Sequence, residues 1–245
     1  MITEIVRPRT VREAVRAKSG AGSVWLGGGT WLNAGHEEVS RLISLADLGL
    51  DGIDVAGGVC TIGAMATFQQ IVDSSLVPAG LRDAARLTAS RTLRNMCTLG
   101  GELGLHPNDS ALIPVLMALG AAMHRTGSRK PTPLMTWLEA PTDDLILSVT
   151  MPVVPCAVAA LSRTSHSFRS LVVAIGRDAS SGKATIVASD CRGTRAAFSI
   201  GLPSDPAGVE SAVNAIFNPK PDIHASLEYK RYMAGVLAAD LVARP

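Results

Sequence analysis

The sequence is short of the features that mark several functional classes. Its 245 residues include four cysteines, Cys60, Cys97, Cys156 and Cys191, each more than thirty residues from the next. With no CxxC or CxC pair, the usual zinc and iron–sulfur spacings are excluded, and reduced, mostly buried thiols in a cytoplasmic protein are expected. The five histidines, His36, His106, His124, His166 and His224, form no HxH or HxxxH pair, so no metal site is expected. Aromatic residues make up 4% of the chain, and 23 Lys+Arg against 21 Asp+Glu leave a net charge of +2. A nucleic-acid binder needs a clustered basic excess or stacking rings, and neither is available. Long apolar runs are missing too. The stretch from Leu145 to Ser162 is interrupted by Pro152 and Pro155, and that from Ser110 to Met123 by Pro114. A spanning helix needs about 20 mostly apolar residues, so no membrane span is expected. The stretch Met1–Arg7 has no basic region followed by an apolar one, and no secretory signal is expected.

What is present is apolar material for a core. A 47% hydrophobic fraction with 18% charge excludes intrinsic disorder, and the length allows one or two domains. Strands are expected at Ile2–Val6, Ser23–Leu26, Leu42–Leu45, Val59–Gly63, Ala121–His124 and Leu145–Met151. Helices are expected after Thr10, which with Glu13 forms a capping-box pattern; over Phe68–Asp73 behind Thr67; after Pro78; and over the fully apolar Ala111–Leu119. Beyond Pro152 and Pro155 the pattern changes to an antiparallel sheet at Ala157–Ser162, Leu171–Gly176 and Ala184–Ser189, with a turn at Ser180–Lys183. Helices follow at Ala207–Phe217 and Asp222–Val242, the last with Tyr229, Met233, Val236 and Leu237 on one face. The fold class is α+β. Expected units are residues 1–152, itself in two parts near 1–55 and 56–152, and 153–245.

Two glycine loops carry the chemistry. Gly27-Gly28-Gly29-Thr30 follows a strand, and Thr98-Leu99-Gly100-Gly101-Glu102 follows a helix. Glycines let backbone N–H groups approach a phosphate with no Cβ in the way. GxGxxG is absent, which argues against a Rossmann site, and no Lys-Ser/Thr follows the glycines, which argues against a Walker loop. A charge-assisted hydrogen bond is worth about 1.5–3 kcal/mol. One loop with two donors gives roughly 3–6 kcal/mol, below the ~8 kcal/mol of micromolar binding. Two loops converging on one diphosphate reach that range, which points to a flavin dinucleotide.

Val24-Trp25-Leu26-Gly27-Gly28-Gly29-Thr30-Trp31-Leu32 and Arg94-Asn95-Met96-Cys97-Thr98-Leu99-Gly100-Gly101 resemble the two flavin loops of the FAD-binding subunits of molybdenum hydroxylases, the xanthine dehydrogenase and carbon monoxide dehydrogenase family. Pro114–Ala121 and Glu228-Tyr229-Lys230-Arg231 are similar to segments that follow in that family, so the resemblance covers nearly the whole chain. It implies a two-part FAD domain of the PCMH type and a smaller C-terminal domain of the CO dehydrogenase flavoprotein type, with the flavin between them. It also implies an iron–sulfur subunit and a molybdopterin subunit as partners, and NAD⁺ or another compound as electron acceptor. By the same resemblance Trp25, Leu26, Gly27, Gly28, Gly29, Thr30, Trp31, Leu32 and Asn33 wrap the diphosphate from one side. Thr98, Gly100, Gly101 and Glu102 face it from the other. Ile146 lies at the flavin end, and Arg163 falls where the family often has a lysine near the ring.

Two positions depart from the family. Its asparagine after the second glycine pair is Glu102 here, and an aspartate further on is replaced by Ala111, with Asp109 and Ser110 beside it. A carboxylate about 4 Å from a phosphate costs on the order of 4 kcal/mol at an effective dielectric of ~20. Glu102 is therefore expected to turn away, toward a ribose hydroxyl for example. Two other readings remain at this level. One is a stand-alone flavoenzyme like UDP-N-acetylenolpyruvoylglucosamine reductase, whose LGGGSN loop Leu26–Thr30 resembles. The other is a scaffold subunit that has lost FAD.

Overall fold

The computed structural model describes residues 2–32, 39–88, 90–164, 169–202 and 204–244. Three sheets follow one another along the chain, with the helices packed between and around them. The first holds β1 (Glu4–Val6), β2 (Ser23–Leu26) and β3 (Arg41–Ser44) in the parallel order β1-β3-β2. Parallel strands need crossover connections, and α1 (Val11–Ala17) supplies the one from β1 to β2, which flank β3. The hydroxyl of Thr10 caps it by accepting from the amide of Glu13. The Glu13 carboxylate takes the amide of Arg9 at 2.9 Å, one residue short of a closed capping box.

The second sheet is antiparallel, in the order β4-β5-β8-β6-β7: β4 (Ile53–Ala56), β5 (Val59–Gly63), β6 (Ala122–Arg125), β7 (Thr132–Pro133) and β8 (Ile146–Pro152). The β4–β5 hairpin turns on Gly57 and Gly58, at φ 57° and 78°. A two-residue turn of this hand requires positive φ at both positions. The helices of this region are α2 (Phe68–Asp73), α3 (Ala79–Thr88), α4 (Arg91–Arg94), α5 (Leu99–Leu105), α6 (Leu112–Ala118) and α7 (Leu134–Glu139). Thr67 and Gln70 form a complete capping box on α2. All seven residues of α6 are buried, as its unbroken apolar run requires.

The third sheet is an antiparallel meander, β12-β11-β10-β9, built from β9 (Cys156–Leu161), β10 (Leu171–Asp178), β11 (Lys183–Asp190) and β12 (Arg195–Gly201). Helices α8 (Pro206–Ile216) and α9 (Leu227–Ala243) pack on it. Helix α6 reaches this sheet as well, since the middle core extends through Val172, Ala174 and Val187. The contact is close enough that a Cβ on Gly176 would lie 2.3 Å from the carbonyl oxygen of Ala118.

The α+β class and most elements match the sequence expectation, and the differences have physical causes. Strands β4, β7 and β12 and helices α4 and α7 are not among the expected elements, being short or weakly patterned. The glycine pair after Thr98 is the first turn of α5 rather than a loop. Helix α9 begins at Leu227, capped by Ser226, not at Asp222. Its buried positions include Lys230, Ala234, Ala238 and Leu241, whereas Tyr229 is 48% exposed and Met233 and Leu237 are only partly buried. Small side chains face inward because α8 lies close, with a Cβ on Gly235 coming within 3.3 Å of the Glu210 backbone. Lys230 is buried because its ammonium is engaged by Asp222 at 2.5 Å and by the Lys220 carbonyl at 2.8 Å. Burial alone would raise the Asp222 carboxyl, but hydrogen bonds from Lys230, Cys191 and the loop amides hold it well below the usual carboxylate range.

Candidate flavin site

The two glycine segments lie against each other. A Cβ on Gly28 would sit 1.6 Å from the carbonyl oxygen of Met96, and one on Gly27 would sit 2.9 Å from the hydroxyl oxygen of Thr98. The first loop therefore rests on the backbone of the segment leading into α5, and only glycine permits that approach. Gly29 adds a left-handed turn at φ 71°. The thiol of Cys97 lies 3.6 Å from the Thr30 hydroxyl, a further contact between the segments.

Their backbone donors differ. A helix N-terminus leaves its first N–H groups without intrahelical partners. In α5 the amide of Leu99 donates to the Ala66 carbonyl at 3.0 Å, and that of Gly100 to the Ala64 carbonyl at 2.7 Å. The Gly101 amide donates to the Thr98 hydroxyl oxygen at 3.1 Å. Among the described residues, the amides of Gly28, Gly29 and Thr30 meet no acceptor. The first segment offers open donors, while the second uses its donors to fix a wall.

Between them lies a cavity of about 420 Å³. Trp25, Gly27, Gly28, Gly29, Thr30, Trp31 and Leu32 line it on one side. Thr98, Gly100, Gly101 and Glu102 line the other, and Ile146 closes it from β8. Leu26 is in β2 beside this wall without lining it, Arg163 is exposed just past β9 and is not among the lining residues, and Asn33 lies outside the described residues. Ala64, Met65, Phe68, Cys97, Gly104, Leu105, Trp137 and the segment Thr142–Leu145 line the cavity as well, beyond the residues expected from the sequence. Gly104 had a signal, lying one helical turn beyond Gly100, and a Cβ there would meet nothing within 4 Å. Phe68 and Trp137 carried none, because a buried ring in a sequence looks like any other piece of core.

Three carboxylates reach the wall, and two of them are countered by cations. Asp143 pairs with Lys18, whose ammonium also lies 5.4 Å over the Trp25 ring, while the Trp25 indole donates to the Asp143 carbonyl at 3.0 Å. Asp144 pairs with Arg125 and accepts from the Thr142 hydroxyl at 2.8 Å. Glu102 has no ion-pair partner among the described residues. It turns to Ser110, whose hydroxyl donates to Oε1 at 2.5 Å and accepts from the Ile113 amide at 3.1 Å. Ser110 thus satisfies a first-turn amide of α6, whose N-cap residue Ala111 has no side-chain acceptor to offer, and also binds Glu102. Burial pushes the Glu102 carboxyl up to about 7; the Ser110 hydrogen bond lowers it, nearby Asp109 raises it, and Arg169 and Arg195 pull it down. At the cavity wall Trp137 is 3% exposed, and its indole nitrogen has no partner among the described residues.

These features fit an extended dinucleotide cofactor. Open amides suit a diphosphate, and the apolar walls Phe68, Leu105, Trp137 and Ile146 suit rings. The buried indole N–H is a donor that a ring nitrogen or carbonyl can satisfy. A carboxyl that titrates at about 7 is about half neutral at neutral pH, which lessens the repulsion expected of a fully ionised Glu102.

Residues 1–154 match the model of the FAD binding domain in molybdopterin dehydrogenase. The uncharacterized protein YgfM of Escherichia coli is 34% identical over 253 residues, a match covering 99% of this chain and 96% of that protein. Among solved structures, a Cu,Mo-CO dehydrogenase is similar with a TM-score of 0.84 at 24% identity, covering 100% of this chain and 97% of that one. Quinoline 2-oxidoreductase from Pseudomonas putida 86 gives 0.85 at 17% identity, covering 99% and 95%. CO dehydrogenase from Hydrogenophaga pseudoflava gives 0.85 at 21% identity, covering 99% and 96%. At these identities the structures speak to the fold, and the family match speaks to the cofactor. This chain belongs to the FAD-binding domain family of the molybdopterin dehydrogenases, and is the flavoprotein component of an oxidoreductase.

Proposed function

We propose that the chain is the electron-transfer subunit of a cytoplasmic molybdenum hydroxylase complex. An iron–sulfur subunit passes it electrons taken from substrate at a molybdopterin subunit, and NAD⁺ or another acceptor removes them. The observation that carries this reading is the cavity between the two glycine segments, with open amides on one side and apolar walls around it. Bound FAD would supply the exchange between one-electron carriers and a two-electron acceptor. The protein's part is to bind and orient. Gly28, Gly29 and Thr30 receive the diphosphate, Thr98 presents a hydroxyl, and Ile146 and Trp137 pack on rings. Asn33 and Arg163 are assigned by resemblance alone. The functional units are residues 1–55, 56–152 and 153–245. No helix among the described residues is long and apolar enough to cross a membrane, and no group of three metal-ligating side chains is present among them.

The test has two parts. The purified chain should release about one FAD on denaturation, and a colourless protein that takes up no added FAD would sink the cofactor reading. Co-expression with an iron–sulfur and a molybdopterin subunit should give a stable complex in which an N-heterocycle reduces both clusters and flavin. Robust substrate turnover by the lone chain would move it to the stand-alone flavoenzymes.

A further inference from the structure

Glu102 is an unusual residue to find on the wall of a site for a dianion. Cβ positions on Gly27 and Gly101 would lie 2.9 and 3.0 Å from the same Thr98 hydroxyl oxygen, so Glu102 directly follows the point where the two segments meet. Its Oε1 is fixed by the Ser110 hydroxyl, whose own oxygen is occupied by the Ile113 amide. A proton on this carboxyl therefore belongs on Oε2, which has no hydrogen-bond partner among the described residues.

The charged groups around it do not hold it ionised. Asp109 repels from the loop that carries Ser110. Arg169 and Arg195, from the C-terminal region, attract it, but each is engaged elsewhere. Arg169 donates to the Leu87 and Thr88 carbonyls, and Arg195 to the Pro107 carbonyl. Across the cavity Asp143 and Asp144 are tied to Lys18 and Arg125. Burial is the largest influence, and it leaves the carboxyl titrating at about 7.

We propose that Glu102 makes cofactor binding proton-linked: FAD is held with Glu102 protonated, and its ionisation weakens the cofactor's hold. This rests on the cavity being the FAD site. The neutral acid can donate its Oε2 proton to a phosphate or ribose oxygen, whereas the carboxylate repels the diphosphate. The diphosphate diester stays doubly charged across the neutral range, so the titrating partner is on the protein. The complex binds one proton more than the free chain above neutrality, and affinity then falls by up to about tenfold per pH unit.

The whole chain, stripped of FAD, would be titrated with FAD between pH 6 and 8.5, following flavin fluorescence. Kd should be nearly flat below pH 7 and rise at least ~10-fold by pH 8.5. Glu102→Gln should stay near the low-pH value throughout. Ser110→Ala removes a hydrogen bond that lowers the Glu102 pKa, so the rise should move to higher pH. A flat wild-type profile overturns the proposal, as does a Glu102→Gln profile that keeps the wild-type slope or a Ser110→Ala rise shifted to lower pH. Absence of FAD binding at every pH overturns the cavity assignment, and the proposal with it.

Discussion

The two glycine segments look alike in sequence and do different work. Gly27-Gly28-Gly29 needs its glycines because a second backbone presses on it, and it keeps the amides of Gly28, Gly29 and Thr30 open. In Gly100-Gly101 the first glycine is needed because α5 must lie against Ala64, and the amides are engaged, those of Leu99 and Gly100 by Ala66 and Ala64 and that of Gly101 by the Thr98 cap. A glycine-rich stretch at a phosphate site therefore marks two separate demands, access for a ligand and close packing of the walls. The hydrogen-bond partners of the amides tell them apart.

Substitutions can break this comparison, and the largest effect is expected at Gly28. Gly28→Val drives a side chain into the Met96 carbonyl, so FAD retention should vanish and stability fall by about 3 kcal/mol, read by thermal melting and flavin release. Gly100→Val should destabilise comparably through Ala64. Loss of FAD from either variant with an unchanged melting temperature would show that packing is not the glycine's role there.

The next effect is a pH dependence of stability. Glu102 titrates at about 7 in the fold against an ordinary 4.5. The unfolded chain gives up this proton first, so the contribution of Glu102 is full below pH 4.5 and is lost as pH rises through 7. The loss is on the order of 1–3 kcal/mol. Glu102→Gln should flatten that part of the curve in urea unfolding at a series of pH values.

Thr98→Val removes the cap on α5 and should cost about 1 kcal/mol, with Thr98→Ser restoring most of it. The smallest effect is expected at Asp143, whose carboxylate is largely exposed in its pair with Lys18. Asp143→Ala should change stability by less than about 1 kcal/mol, since exposed ion pairs contribute little. A larger loss would mean that the pair orients Trp25 toward the cavity.

Much of this was legible in the sequence because the signals were local. Strand Ser23–Leu26, the Thr67 cap and the run Leu112–Ala118 follow from periodicity and capping alone. The walls that the glycine motifs contribute were legible through their resemblance to known flavin loops. What escaped depended on contacts distant in sequence. The inner face of α9 follows Ala234 and Ala238 because α8 lies close, and the larger Met233 and Leu237 pointed elsewhere. Phe68, Trp137 and the segment Thr142–Leu145 reach the cavity only through tertiary packing. The engagement of Glu102 by Ser110 joins α5 to the loop before α6 and has no signature in the spacing.

The division of labour between the segments is tested most directly by amide hydrogen exchange, read by mass spectrometry with and without FAD. Amides at Leu99–Gly101 should be protected already in the free chain and change little. Those at Gly28–Thr30 should exchange rapidly in the free chain and gain protection when FAD binds. Rapid exchange at Leu99–Gly101 that slows with FAD, and no change at Gly28–Thr30, would contradict it.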